Sequence, residues 1–339
     1  MIADMQRTFR FVPFGSSAPH GSLAVDAGVA GATATYSHWQ GAQATPPQLL
    51  ADTSTGILVQ AAGDPRRWLD AFPLVCNNHI DADGLLAATF ALRPELALDH
   101  SVVAIAAAEA GDFCEWPGEA GFRLMLRLHQ VLRDLGDQRR EGTWEESAYQ
   151  QVIAEAPRWF AEAAESDPER DAEVARVAET IRRLSARHGF SVHDDGRLLT
   201  IAWSARLGHP CDQFSPIAIG RPDDLPVWAI HGAYPGLARR RVQLLAMATP
   251  AGTQYRLEGP RHAWARTVDR PGWSAPALIQ VAERLQGLER NAVQWICGAL
   301  ANRLGMTCVL AVVDHAGEPA GSSITVAAVI AEVSAGLSA

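Results

Sequence analysis

The chain has 339 residues, 48% of them hydrophobic, and a formal net charge of −9. That length exceeds one ordinary core, so it predicts two domains or one domain with a large annex. The acidic balance argues against broad duplex nucleic-acid binding through a basic surface. All 29 basic residues are arginine, and the lack of lysine excludes Schiff-base catalysis and a standard Walker A loop.

No apolar run reaches the ~18–20 residues that cross a bilayer. The start, "MIADMQRTFRF", carries no apolar segment of signal-peptide kind. The expectation is a soluble cytoplasmic protein with no membrane contact. The cysteines Cys76, Cys114, Cys211, Cys297 and Cys308 are scattered and form no CxxC pair. They read as buried reduced thiols rather than a disulfide or zinc framework.

In chain order, "RTFRFVPF" (7–14) and "TATYSHW" (33–39) carry the aromatic and β-branched residues of strands. Residues 45–62 read as a proline-opened helical region, broken at Gly63-Asp64-Pro65. "FPLVC" (72–76) has the short apolar form of a buried parallel strand, and "GLLAATFAL" (84–92) is helical. Residues 101–113 stay open, since the alanines favour helix and "SVVAI" favours strand. From Glu119 to about His188, apolar residues three and four apart predict amphipathic helices. Residues 190–205 read as a hairpin around Asp195-Gly196. "PVWAIHG" (226–232) and "RRVQLLAMA" (240–248) read as β-like, 275–289 as a helix and 308–314 as a strand. A small-residue, apolar tail follows. The fold class expected is α/β: an N-terminal parallel-sheet layer with helices over 1–140, a helical connector over 141–189, and a C-terminal α+β part over 190–339.

The chemistry concentrates in "LVCNNHIDADGLLA". His79, Asp81 and Asp83 fall between a strand and a helix, where open α/β sheets bind ligands. Two carboxylates two residues apart on a turn can face one cation. Their oxygens suit Mg²⁺ or Mn²⁺, and the imidazole shifts the preference towards Mn²⁺ or another divalent transition metal. Gly84 is expected to free the backbone for the turn into the helix. The same D-x-D-G also reads as a helix-capping turn with no metal. An EF-hand loop is excluded because its twelfth position, counted from Asp81, is Leu92. A haloacid-dehalogenase start is disfavoured: Asn77, Asn78 and His79 separate the strand from Asp81, and Leu85 stands where Thr is usual.

The stretch resembles the first motif of the DHH phosphoesterase superfamily: an apolar strand, a His, then D-x-D-G entering a helix. The resemblance covers about 40 residues. It implies that His79, Asp81 and Asp83 bind a pair of Mn²⁺ ions and are the catalytic residues. It also implies a second-motif Asp, for which Asp112 in "AEAGDF" is the candidate; a plain helix end is the other reading of Asp112. The Asp-His-His tripeptide of that superfamily is absent, with near misses at Asp99-His100-Ser101, His193-Asp194-Asp195 and Asp314-His315-Ala316. The whole chain also looks similar to an uncharacterised bacterial family with the same "HxDxDG" and "GDF" segments.

His209 and His231 are further candidate metal ligands, each equally readable as structural. Arg261, His262 and Arg266, in "RHAWAR", are candidates for holding an anionic substrate, since arginine forks onto phosphate and carboxylate. No G-x-S-x-G, G-x-G-x-x-G or H-E-x-x-H occurs. The expectation is therefore a metal-dependent hydrolase, a DHH-like phosphoesterase acting on a small anionic phosphorylated or nucleotide substrate. The alternatives are a metalloenzyme on a related scaffold with non-phosphoryl chemistry, and a non-catalytic binding protein that keeps a decayed motif. The sequence leaves the oligomeric state open, a homodimer included.

Overall fold

In the computed structural model of the chain, residues 7–42, 45–136, 144–204, 227–235, 242–274, 278–304 and 307–338 are described. His209 lies outside them. The chain divides into two compact units, Met1–Ala175 with Trp264–Arg270, and Arg176–Ala263 with Pro271–Ala339.

The first unit is built on a sheet of four parallel strands: β1 (Thr8–Phe11), β2 (Ser22–Val25), β3 (Ala34–Tyr36) and β4 (Leu74–Asn77), in the order β1-β4-β2-β3. Between β3 and β4 run α1 (Ser54–Ala62) and the single turn α2 (Pro65–Trp68). Thr53 caps α1 by accepting from the Gly56 amide at 3.0 Å, and Asp64 caps α2, with Pro65 in its first turn. The helices α3 (Ala82–Leu92), α4 (Pro94–Asp112), α5 (Gly118–Gly136) and α6 (Trp144–Glu162) follow. Helix α3 is buried from Ala82 to Ala91. It packs on β1, β2 and β4 and against α1, α4, α5 and α6, which is why its sequence is apolar on every face.

The open question over 101–113 resolves as helix. The alanines at 97, 104, 107, 108 and 110 are buried along α4, while the β-branched Val102 is 83% exposed. Alanine spacing therefore sets this segment, and of its β-branched residues Val102 falls on the outer face. Helix α6, within the stretch expected to be a connector, packs on α3, α5 and β1.

Helix α7 (Pro168–Ser185) leads into the second unit. There β5 (Phe190–Asp194) and β6 (Leu198–Ser204) form the hairpin, with Gly196 at φ +88° in its turn. Then come α8 (Val227–Ala233), β7 (Val242–Thr249), β8 (Gly252–Glu258), α9 (Ile279–Leu288), β9 (Gln294–Cys297), β10 (Cys308–Val313) and α10 (Val326–Ser338). The sheet order is β5-β6-β7-β8-β10-β9, with β6 and β7 parallel and the other pairs antiparallel. Leu198, Leu244, Tyr255, Leu257 and Leu310 join Leu285 of α9 and Val329 of α10 in one core.

From Val227 on, the "PVWAIHG" stretch is helix α8 and not β-like. Val227 to His231 are all buried, and a short run buried on every side carries no period that separates helix from strand. The fold class is otherwise as expected, an α/β chain with a parallel sheet first and a mixed sheet after the helices. Among the described residues no helix is long and apolar enough to cross a membrane.

Candidate metal centre

Because β2, β3 and β4 run parallel, their carboxyl ends open on one edge of the sheet. Asp26 follows β2 directly, His38 stands two residues past β3, and His79 stands two past β4. Asp81 and Asp83 sit at the start of α3, and Asp112 ends α4. The structure thus brings His79, Asp81, Asp83 and Asp112 together and adds Asp26 and His38.

Asp26 adopts φ +68°, a left-handed conformation that Asp tolerates better than most residues. Its amide donates to the Tyr36 carbonyl at 2.9 Å, fixing the turn to the sheet. Oδ1 accepts from Ser54 Oγ at 2.9 Å and lies 3.5 Å from His38 Nε2. Oδ2 lies 2.8 Å from His79 Nε2. One carboxylate therefore offers an oxygen to each of two groups: Asp26, His38 and Asp83, and Asp26, His79 and Asp81. Within each group the ligand atoms lie within 4.8 Å of one another.

The first group is closed. His38 Nδ1 is 2.7 Å from the Asp52 carbonyl, which can only accept, so Nδ1 carries a proton and Nε2 faces the carboxylates. Nε2 is 3.5 Å from Asp83 Oδ2 and 3.4 Å from Asp112 Oδ2 and has no hydrogen-bond partner among the described residues. Asp83 is locked by the start of α1, where its oxygens accept from the Ser54 and Thr55 amides at 2.7 Å each. Ligand atoms about 2.1 Å from a divalent ion stand roughly 3–3.5 Å apart. The contacts around Nε2 have that spacing, and a buried imidazole nitrogen facing three carboxylates fits a cation better than a hydrogen bond. The carbonyl behind Nδ1 is the outer support that metal-binding histidines use.

The second group is open. The His79 and Asp81 side chains are 26% and 30% exposed, and their Nε2 and Oδ2 atoms are 3.1 Å apart. Asp81 is also the N-cap of α3, its Oδ1 accepting from the Gly84 amide at 2.8 Å. The capped turn and the ligand are thus two oxygens of one residue. Behind His79, the Tyr149 hydroxyl donates to its carbonyl at 3.0 Å and accepts from Asn77 Nδ2 at 2.8 Å. Gly84 serves this packing, not a sharp turn as the sequence suggested. It is helical, and a Cβ there would meet Asn77 Nδ2 at 2.7 Å, Tyr149 Oη at 2.8 Å and Asp26 Oδ2 at 2.9 Å.

Crowded carboxylates redistribute their protons. Burial and the Asp26 charge push Asp83 up to about 7. Burial and the Asp83 charge hold Asp112 well above the carboxylate range. Burial also opposes ionisation of Asp26, but His79 and His38 outweigh it and keep Asp26 well below that range. Both imidazoles are raised: burial works against their charge, and the facing carboxylates overcome it.

Aromatic rings line the centre. Trp264 stands edge-on to His38 with centroids 5.0 Å apart, and Trp39, 37% exposed, lies 4.9 Å from His79. The Arg266 amide donates to the His38 carbonyl at 2.6 Å, and its side chain is exposed. The remaining candidates lie in the second unit. Arg261 is buried and donates to Glu258 at 2.6 Å. His262 Nε2 meets the Pro271 carbonyl at 3.0 Å, and His231 Nε2 lies 3.5 Å from Gln243.

Asp26 and His38 were missed from sequence. The signal was a strand-like run ending on a metal-grade side chain, as before "HIDADG": "SLAVD" has an apolar run up to Asp26, and "ATYSH" has the β-branched and aromatic residues of a strand before His38. The chain belongs to DUF6687, a family of unknown function whose profile matches residues 7–335. No curated protein and no solved structure matches it.

Proposed function

We propose that the chain is a metal-dependent hydrolase with a two-ion centre, acting on a small phosphorylated or nucleotide substrate. The observation that carries this reading is the Asp26 carboxylate, which turns one oxygen to His38 and the other to His79. Asp26, His38, Asp83 and Asp112 would hold one ion, and Asp26, His79 and Asp81 the other. Four carboxylates match the charge of two divalent cations, with both imidazoles neutral. The mix of imidazole and carboxylate favours Mn²⁺, with Mg²⁺ or another divalent transition metal as substitutes. Bound there, such ions supply Lewis acidity and a water acidified towards neutral pH.

The chain's own residues do the rest. Trp264 and Phe113 pack on His38 and keep bulk water from the closed group. Trp39 stands beside His79 at the open group, and Arg266, carried on the segment bonded to His38, is the arginine offered to a substrate anion. The likeness of "HIDADG" to the first DHH motif supports phosphoryl chemistry. Cys76, Cys114, Cys297 and Cys308 are thiols, not disulfide partners, which suits a cytoplasmic setting.

The test is turnover by the Mn²⁺-loaded protein on phosphomonoesters, phosphodiesters and pyrophosphate, beside Asp26→Ala. Mn²⁺-dependent release of phosphate that the variant lacks is the expected result. Tight binding of two ions with no turnover on any of the three would instead favour the non-phosphoryl metalloenzyme. One observation leans that way: of the Asp-His-His near misses, His100 stacks on Phe160 at 5.0 Å and Asp314 turns back on Ala316 and Glu318. None of the three segments contributes to either ligand group.

A further inference from the structure

The segment Trp264–Arg270 packs as part of the first unit, although 218 positions separate Asp52 from Arg270. Its last residue is a buried arginine, 8% exposed, lying over the Phe113 ring at 4.6 Å. The guanidinium binds three carboxylates. It donates to Asp52, bonds Glu115 through Nε and Nη2 at 2.8 and 2.7 Å, and reaches Glu109 at 3.0 Å. Buried charges persist where they are paired, but the choice of partners here is specific. Asp52 carries the carbonyl that holds His38 Nδ1, and its carboxylate also accepts from the Val268 and Asp269 amides. Glu109 and Glu115 stand three residues to either side of Asp112.

We propose that Arg270 is a positioning residue for the closed half of the metal centre: it ties the Asp52 stretch, which orients His38, to the end of α4, which carries Asp112. The inference rests on the two-ion reading. His38 and Asp112 serve the closed half alone, and no Arg270 bond to His79 or Asp81 exists among the described residues. A lysine would keep one positive charge there but not a planar fork that can serve carboxylates on two chain stretches.

The experiment titrates Mn²⁺ into the metal-stripped full chain, as wild type, Arg270→Lys and Arg270→Met, with Co²⁺ absorption as a second readout of coordination. Wild type should take two equivalents. Arg270→Lys should keep both, with one weakened about 10- to 100-fold, as for loss of an outer support. Arg270→Met should keep a single equivalent, which His79→Ala then removes, and should lose the Co²⁺ bands of the closed half. Folded Lys and Met variants that bind both ions with wild-type affinity and spectra would overturn the proposal. If Arg270→Met does not fold, Arg270→Lys decides alone, and wild-type affinity for both ions overturns it. Fewer than two equivalents in the wild type would overturn the two-ion reading itself, and with it this role for Arg270.

Discussion

On one side of Asp26, the His38, Asp83 and Asp112 side chains are 0%, 0% and 6% exposed; on the other, His79 and Asp81 keep 26% and 30%. Behind the closed side, the Asp52 carbonyl holds His38 and the start of α1 holds Asp83, while Arg270 bonds Asp52 together with Glu109 and Glu115, which flank Asp112. The open side has two partly exposed ligands, one of which also caps a helix. Closed ligand sets suit ions that stay, and sets with a free position suit ions that meet water and substrate. Under the two-ion reading, one half retains its ion and the other exchanges it.

The largest effect should come from Asp26→Ala, the one change that touches both halves. It should abolish binding of both ions, as measured by elemental analysis; a variant that keeps two would show the halves to be independent. Next, Asp83→Ala should remove only the closed ion. It also strips the acceptor from two buried amides, at about 1–3 kcal/mol each, so its melting temperature should fall as well. Asp81→Ser sharpens the contrast further. Serine keeps the cap, worth about 1 kcal/mol, but not the ligand. Calorimetry should find the fold intact, and dialysis should find the open ion gone.

The smallest effect is one of pH. Asp83 is raised from 3.8 to about 7 in the fold, so the folded state binds its proton more tightly than the unfolded chain does. That contribution is present below the unfolded value and is lost as pH rises through about 7. Denaturant melts of the metal-stripped protein should therefore show stability falling across that window. Mn²⁺ should reverse the fall and release protons, since its ligands must be ionised. Stability that rises across the window without metal would contradict this electrostatic picture.

The sequence exposed one face of the centre well. A strand, a turn and a helix contiguous in the chain present His79, Asp81 and Asp83 as a local pattern. Asp112 required the guess that a helix end returns to that turn, and α4 packing on α3 and α1 provides the return. Asp26 and His38 were hidden because strand order brings them in: β4 pairs with β2, and β2 with β3, a pairing that no local period encodes. Trp264 and Arg270 lay further out of reach, since a segment from late in the chain joins the first unit. The same gap affects the arginines of "RHAWAR". Arg261 looked like Arg266 in sequence, yet one is buried on Glu258 and the other is exposed beside His38. Charge alone does not separate a structural fork from an available one.

Anomalous diffraction at the manganese edge, on crystals of the Mn²⁺-loaded protein, tests the central claim most directly. Two peaks should flank the Asp26 carboxylate, one beside His38 and Asp83 and the other beside His79 and Asp81. A single peak, or none beside Asp26, would contradict a centre bridged by that residue.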